Sequence, residues 1–530
     1  MKNKNMLLII LIFTLISISS LIIYKNSDTS KIYVESYRED SDIDDGESIQ
    51  RAISWAEKNG GGLIILANKT YTVSFIKQEL PSHVTLKGSG KKTKIVSTKP
   101  GDLFRAVGKK DITIKGISFK GIDNNALMLS AQSTDQITIK NCFFENLRVI
   151  KTDLPSGETY NSVTREKLNH NIQINNNIAV GLDKTLSKAA IELAYVEDAK
   201  VKRNRISKYK HGIQWWGGDA NPAKNGALNN PRWAINIVIS KNTIQDINSG
   251  GIWGSMGTNI KVSSGNVVSD CGDVGIDFEG STSSEATGNY IKNCKNGCLT
   301  TFFENKEIKI RKNIIESDVK NQYLFKIYNS SHKQNHSIQI YKNKFRFIGS
   351  GIGYVGGEQV DKVSIFNNDF INTVVHLYSP NFKEVYIHKN KFLFTNLVDD
   401  PFNAVRVRSL IQQFEQDSLA EGEFKISNNI IKSEVTQPNK SRAIYVEMNE
   451  KNLPSRAIVE KNETEGFQID VEYYLIDSGA NRKMEFILRN NMLHGRNFVF
   501  LKGGSSEGKI LIEGNYDGNG LVYLPRLRPH

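Results

Sequence analysis

From Ile112 onward the chain repeats one short theme. An alternating apolar–polar stretch leads to an asparagine, one variable residue, an apolar residue, a turn and a second short alternating stretch. The asparagine recurs at Asn176, Asn204, Asn242, Asn266, Asn289, Asn313, Asn343, Asn368, Asn390, Asn429, Asn462, Asn491 and Asn515. Alternation with a period of two marks strands that bury one face. Between Asn242 and Asn313 the asparagines lie 24, 23 and 24 residues apart, and elsewhere the interval stretches to 30–39, as inserted loops would require. A coil of this length holds roughly three short strands and three turns. Only parallel stacking brings equivalent residues of successive coils into register. Inward asparagines at a turn can then bond to one another and to the backbone above and below. The pattern predicts an all-β chain, one continuous parallel β-helix over 111–530. Loops should bulge out near 150–170, 217–233 and 402–422.

The segment before the repeats reads differently. In DIDDGESIQRAISWAEKNGGGLIILANKTYTV, Asp45 is placed to cap a helix whose apolar face is Ile49, Ala52, Ile53 and Ala56. Gly60, Gly61 and Gly62 end that helix. Leu63 to Leu66 is expected as a short buried strand and Asn68 to Tyr71 as a turn. A helix here would cover the open end of the stack, whose first coil otherwise exposes its core and a strand edge. This start resembles the N-terminal cap of the pectate-lyase-like superfamily, also seen in many phage tailspikes. The coils resemble that superfamily over most of the chain. The resemblance implies a right-handed parallel β-helix, a single-stranded solenoid with residues 32–110 as cap and first coils. It implies no single activity, because the superfamily hosts lyases, hydrolases, epimerases and inactive members. Leucine-rich repeats also carry an asparagine, but their dense leucine pattern and helices are missing.

Residues Met6 to Ile23 are apolar or small and follow Lys2 and Lys4. The run suits an uncleaved anchor or a signal peptide within residues 1–25, and either places the body in the periplasm or outside the cell. The net charge of +13 favours an acidic partner, such as an anionic polysaccharide or a membrane surface. Lys and Arg are spread along the chain rather than clustered, which argues against nucleic acid. Four cysteines in 530 residues make no disulfide scaffold. Cys271 and Cys294 fall one repeat apart at matching places, as either a bridged pair or two stacked buried thiols.

Aligning coils on the asparagines brings AAIELAY, HGIQWWGGD, GGIWGSMG, VGIDFEGS and GCLTTFFEN into one column. The Ile or Leu of each points inward, so two outward rows follow. The first is Glu192, Gln214, Trp253, Asp277 and Thr300. The second is Ala194, Trp216, Ser255, Glu279 and Phe302. Outward aromatics suit the flat C–H faces of sugar rings. Carboxylates at i and i+2 on a strand fall within reach of the separations that glycosidases use. Like charges so close should raise one pKa, as a general acid needs.

The expected catalytic set is therefore Asp277, Glu279, Glu304 and His211. Trp216, Trp253, Phe302, Gln214, Asp219 and Glu192 would bind substrate, and Lys208, Lys210 and Arg232 would meet acidic groups. No metal or other cofactor is expected. A Ca²⁺ on Asp219, Asp277 and Glu279 is a minor alternative without a specifying ligand spacing. The hydrolase reading requires the pair to be uncovered and beside the aromatics. Its competitors are a polysaccharide lyase or uronate C5-epimerase using the same basic groups, and a glycan-binding or structural solenoid without activity. The outward Asp-x-Glu could be a plain solvated face, Trp216 and Trp253 a satellite core under the 217–233 loop, and Gly212, Gly251 and Gly275 tight-turn residues. The polygalacturonase motif set is absent, with only His211-Gly212 echoing one piece. The Asp-Pro-His-Asp signature of alginate epimerases is missing, so no catalytic residue carries over from those families.

Overall fold

The computed structural model describes residues 30–527 except 75–77, 123–125, 183–187, 321, 329–336, 359–360, 379–382, 397, 399, 410–421, 439, 450–454, 477–483, 495–497, 504–508, 518–519 and 521–525. The apolar Met6–Ile23 run and part of the 402–422 loop lie outside the described residues. Among those described, no helix is long and apolar enough to cross a membrane.

Strands follow one another in coils and pair in parallel with their equivalents one coil away. One flank is a 16-stranded sheet that begins at Asp102–Val107 and ends at Arg526–Leu527. The other described strands form a 33-stranded sheet that bends at the asparagines. Val196–Lys202 and Arg205–Ser207, for example, flank Asn204. The interior is one continuous apolar core running from Ile32 to Leu493. Equivalent side chains stack within it, as in Phe345, Phe370 and Phe392, with ring centroids 5.1 and 4.5 Å apart.

The asparagines form an unbroken ladder from Asn177 to Asn515. Each side-chain amide Nδ2 donates to Oδ1 of the next asparagine at 2.8–3.0 Å. Nδ2 also donates to a backbone carbonyl across the turn, as from Asn289 to Val262 at 2.9 Å. The backbone N–H of Asn289 in turn donates to Asn313 Oδ1 at 3.0 Å. The first rung is Asn177, not the expected Asn176. Asn176 instead holds the preceding left-handed position (φ +57°), and every later rung follows a residue of the same kind, such as Arg203, Lys241, Gly288 or Asn490. That residue reverses the chain sharply enough for the next side chain to point inward.

The N-terminal helix spans Asp45–Lys58 and buries Ile49, Ala52, Ile53 and Ala56, as the periodicity predicts. Its cap is Asp44 rather than Asp45: the Asp44 carboxylate accepts from Gly46 N–H at 2.7 Å. Asp45 takes the Lys69 ammonium and the Thr72 N–H instead. The strand after the glycines is Gly62–Ile65, and Thr70 and Tyr71, expected in a turn, open the next strand, Thr70–Val73. The 150–170 loop begins later than expected, because Arg148–Asp153 is a strand of the 16-stranded sheet. Asn403–Arg408 is likewise a strand and not loop. All four cysteines are free and buried, and Cys294 lies in hydrogen-bonding contact with Cys271 and Cys298, so the pair is a thiol stack rather than a bridge.

Removing one rung leaves its buried neighbours without partners on both sides. Asn289→Ala should destabilise the fold by about 3 kcal/mol, since each unmet buried group costs about 1–3 kcal/mol. Thermal unfolding followed by circular dichroism checks this against the exposed-site control Lys261→Ala, for which no more than about 0.5 kcal/mol is expected.

Candidate functional site

Five neighbouring strands of the 16-stranded sheet carry the site: Ala189–Ala194, His211–Trp216, Ile252–Ser255, Val274–Glu279 and Gly297–Phe302. Ile191, Ile213, Ile252, Ile276 and Leu299 pair in register and fill the core. Trp215 and Phe278, two residues further on, are also buried, with ring centroids 5.6 Å apart. Alternation then turns the intervening residues away from the core. The pairing yields the rows Glu192–Gln214–Trp253–Asp277–Thr300 and Ala194–Trp216–Ser255–Glu279–Phe302.

These rows are not a plain solvated face. Asp277 is only 2% exposed, and Ser255 and Thr300 are buried, while Glu279, Trp216, Trp253 and Phe302 are half-buried. The accessibility that a hydrolase needs is therefore met at Glu279 and not at Asp277. Trp216 and Trp253 meet edge-on with centroids 6.4 Å apart, and His211 tilts over Trp253 at 5.0 Å. They do not form a satellite core under the insertion. That core consists of Leu154, Val163 and Leu168 packed with Tyr195, Trp233 and Ile235, and it joins the 154–168 and 217–233 insertions.

Burial, more than mutual repulsion, sets the acid pair's chemistry. It pushes Asp277 up to about 7, with the charge of Asp273 adding to the effect. Glu279 is pushed up to about 9 by burial and then by the charges of Asp277, Asp219 and Asp273. Both shifts favour a proton held within the pair above the ordinary carboxyl range. Asp277 Oδ1, Ser255 Oγ and Trp253 Nε1 are buried and find no hydrogen-bond partner among the described residues. Buried polar atoms are normally paired, so three unmet ones on adjacent strands mark a place built to meet something else.

Several expected roles give way to structural ones. Arg232 is 6% exposed, and its guanidinium donates to the backbone carbonyls of Gly280 (2.7 Å), Asn230 (2.9 Å) and Leu228 (3.0 Å). It pins the 217–233 insertion to the end of the Asp277 strand and does not face an acidic ligand. Glu304 is wholly buried and lies in the electrostatic field of Arg232. Glu192 pairs with Arg148. Asp219 accepts from Lys224 (2.8 Å) and from Asn221 N–H (2.9 Å); burial raises its pKa, but these partners outweigh burial and leave it lowered. His211 is a poor base: its Nδ1 accepts from Gly250 N–H at 3.1 Å, and burial, helped by Lys210, pulls its pKa down to about 4. Lys208 and Lys210 are exposed at the rim, and Gln214 lies half-buried beside the tryptophans.

Gly212, Gly251 and Gly275 are not turn residues. A Cβ on them would sit 2.5, 2.8 and 2.3 Å from the carbonyl oxygens of Gly251, Gly275 and Cys298, so close coil packing requires them. Among the described residues no group of His, Cys, Asp or Glu could hold a metal ion. Asp273, whose charge acts on both members of the pair, is not singled out by the row alignment. It lies four residues before Asp277, in the bend that precedes the Val274–Glu279 strand, where strand alternation gives no signal.

A family model for the right-handed β-helix region matches residues 227–392. No curated protein matches the chain. Among solved structures, the pre-mature gene product 12 of bacteriophage phi29 is similar with a TM-score of 0.52 and 12% identity, over 94% of this chain and 74% of that one. The N-terminal fragment of that gene product covers 98% of both chains at 11% identity and a TM-score of 0.47. The A-module of an Azotobacter vinelandii mannuronan C-5 epimerase covers 92% of this chain and 99% of its own at 13% identity and a TM-score of 0.30. Similarity at this level speaks to architecture: the chain is a right-handed parallel β-helix protein.

The raised values of the acid pair have a thermodynamic consequence. The folded chain retains protons that the unfolded chain releases above the ordinary carboxyl range. The pair therefore costs no stability below about pH 4 and costs progressively more as pH rises from there toward its raised folded-state titration range. Asp277→Asn should raise stability at pH 8 by on the order of 2 kcal/mol and leave it unchanged at pH 4. Thermal midpoints of both forms across pH 4–9 check this, and parallel curves would refute the shift.

Proposed function

We propose that the chain is a polysaccharide-active enzyme of the cell envelope that cleaves glycosidic bonds of an acidic glycan. The observation that carries this reading is the Asp277–Glu279 pair, whose shifts favour a held proton above the ordinary carboxyl range, beside Trp216, Trp253 and Phe302. Burial and the neighbouring carboxylates favour the protonated form of Glu279, which lies at the accessible edge, and this suits a general acid that protonates the leaving oxygen. Asp277 is the partner carboxylate; it is buried, so the requirement that the pair be uncovered is met at Glu279 alone, and Asp277 would act through Glu279 and not on the sugar directly. The aromatic rings would stack on sugar faces, and the unmet Trp253 Nε1 would donate to a sugar hydroxyl. Lys208 and Lys210 at the rim suit an anionic chain. No cofactor is needed in this scheme, so activity should persist in EDTA. The Lys2–Ile23 segment would tether the body to a membrane or direct its export, with the β-helix on the outer side.

A second reading rests on the burial of Asp277, which suits a glycan-binding solenoid without turnover. Lyase or epimerase chemistry is weaker, since His211 spends its acceptor nitrogen on Gly250. Incubation with bacterial capsule and plant uronate polymers separates these readings. New reducing ends without absorbance near 235 nm are expected. Absorbance there would show a lyase, and binding without either product would show a binder or an epimerase. Because burial holds the pair's titration above the ordinary carboxyl range, the pH optimum of hydrolysis should lie above that range, and activity should fall once the pair loses its last proton. Glu279→Gln should lower kcat by about 100-fold or more, and unchanged turnover would remove Glu279 from the mechanism.

A further inference from the structure

The row that contains Asp277 does not stop at Thr300. It continues through Lys326, Gly356, His376, Arg406 and Tyr445 on successive strands of the same sheet. Beside it Tyr378, Arg408 and Glu447 continue in register. Five strand spacings separate Asp277 from Arg406, roughly 24 Å along the stack at about 4.8 Å each.

Several charges near the far end are matched. Arg408 donates to both carboxylate oxygens of Glu447, at 2.8 and 2.9 Å, and Arg442 donates to Glu472 at 2.6 Å. Tyr445 OH is spent on Glu447 at 2.8 Å. Arg406 has no carboxylate among the described residues. Its guanidinium lies between two rings, 5.5 Å from the centroid of Tyr378 and 5.3 Å from that of Tyr445. Its Nε is buried without a hydrogen-bond partner among the described residues.

His376, one coil away, cannot supply the missing acceptor. His376 Nε2–H donates to Asn403 O at 2.8 Å, and its Nδ1 accepts from Tyr378 OH at 3.3 Å. Arg406 is thus a half-buried, pre-oriented cation, flanked by aromatic faces on a strip shared with the acid pair. A guanidinium in this setting is shaped for a planar two-oxygen anion, and the rings that hold it also meet Arg408, over Tyr378 at 6.0 Å, and Arg442, over Tyr445 at 5.4 Å, which adds positive charge around the place the anion would take.

We propose that Arg406, with Tyr378 and Tyr445, forms a distal subsite for the carboxylate of a hexuronate unit in a glycan chain lying along the β-helix axis. The subsite rests on the glycan reading of the acid pair for its substrate class, but not on turnover. A chain long enough to span about 24 Å would engage the acid pair and the guanidinium together. A short oligomer at the acid pair would not reach Arg406.

Arg406→Gln removes the charge and keeps a hydrogen-bonding side chain, and its thermal midpoint reports that the fold is intact. The probes are polygalacturonate and alginate, their carboxyl-reduced neutral forms, and their trisaccharides, with binding measured by calorimetry or affinity electrophoresis. Wild type should bind one of the two uronate polymers, and the variant should bind that polymer at least tenfold more weakly. No change is expected for the reduced polymer or the trisaccharide. Arg406→Lys should restore only part of the affinity, because an ammonium cannot form the two-pronged bond. If the polymer is cleaved, Arg406→Gln should raise KM and spare kcat. Equal polymer affinity of wild type and the glutamine variant would overturn the subsite, as would failure of wild type to bind either polyuronate. Polymer binding that depends on Arg406 without any cleavage would support the subsite while removing the hydrolase reading.

Discussion

The fold depends on how a buried carboxamide is satisfied. Each asparagine of the ladder is buried, and its amide meets its hydrogen-bonding needs only if the next coil offers another asparagine at the same point of the turn. A slip of one residue would replace that amide with an exposed left-handed residue and strand several polar groups at once. The ladder is therefore a register lock as much as a stabiliser. Because coils contact mainly their neighbours, each rung fixes the next, and the rows of the 16-stranded sheet inherit that register.

The lock has a local cost. The residue before each rung adopts a left-handed backbone, which disfavours L side chains by roughly 1–2 kcal/mol. Asparagine and glycine fill some of these positions, but Arg203, Lys241, Lys312, Lys342, Lys389 and Lys461 fill others, all exposed. The amide network tolerates that strain, and the long side chains put positive charge along one outer edge of the coil.

Much of this is legible from spacing alone. The asparagine interval and the strand alternation suffice to place Trp253 beside Asp277 and Ser255 beside Glu279. The misplacement of one rung at Asn176 has a simple cause: two adjacent asparagines serve opposite roles there, and only φ distinguishes them. Roles that depend on three-dimensional cover are not visible in sequence. Arg232 and Glu304 stand near the column in sequence, yet both are buried, and Arg232 is spent on the carbonyls of Leu228, Asn230 and Gly280. The cover over Asp277 is likewise invisible to alternation, which reports the side of a strand but not what lies over it. The Arg406 cluster escapes notice for another reason: its coils are separated by long, irregular intervals, so no short motif joins Tyr378, Arg406 and Tyr445.

The two long described insertions, 154–168 and 217–233, both leave from the downstream ends of strands in the 16-stranded sheet, at Asp153 and Trp216. Among the described residues the asparagine corner is a two-residue bend, as between Lys202 and Arg205 or between Ser240 and Thr243, and at its longest three residues, between Ser263 and Val267. Length variation is thus channelled to the corner beside the strip that carries the acid pair. A lineage of such chains can lengthen, shorten or exchange those loops, and so reshape what lies along the strip, while the spine that keeps the coils in step goes untouched. The architecture separates what must stay constant for heredity of the fold from what is free to diversify.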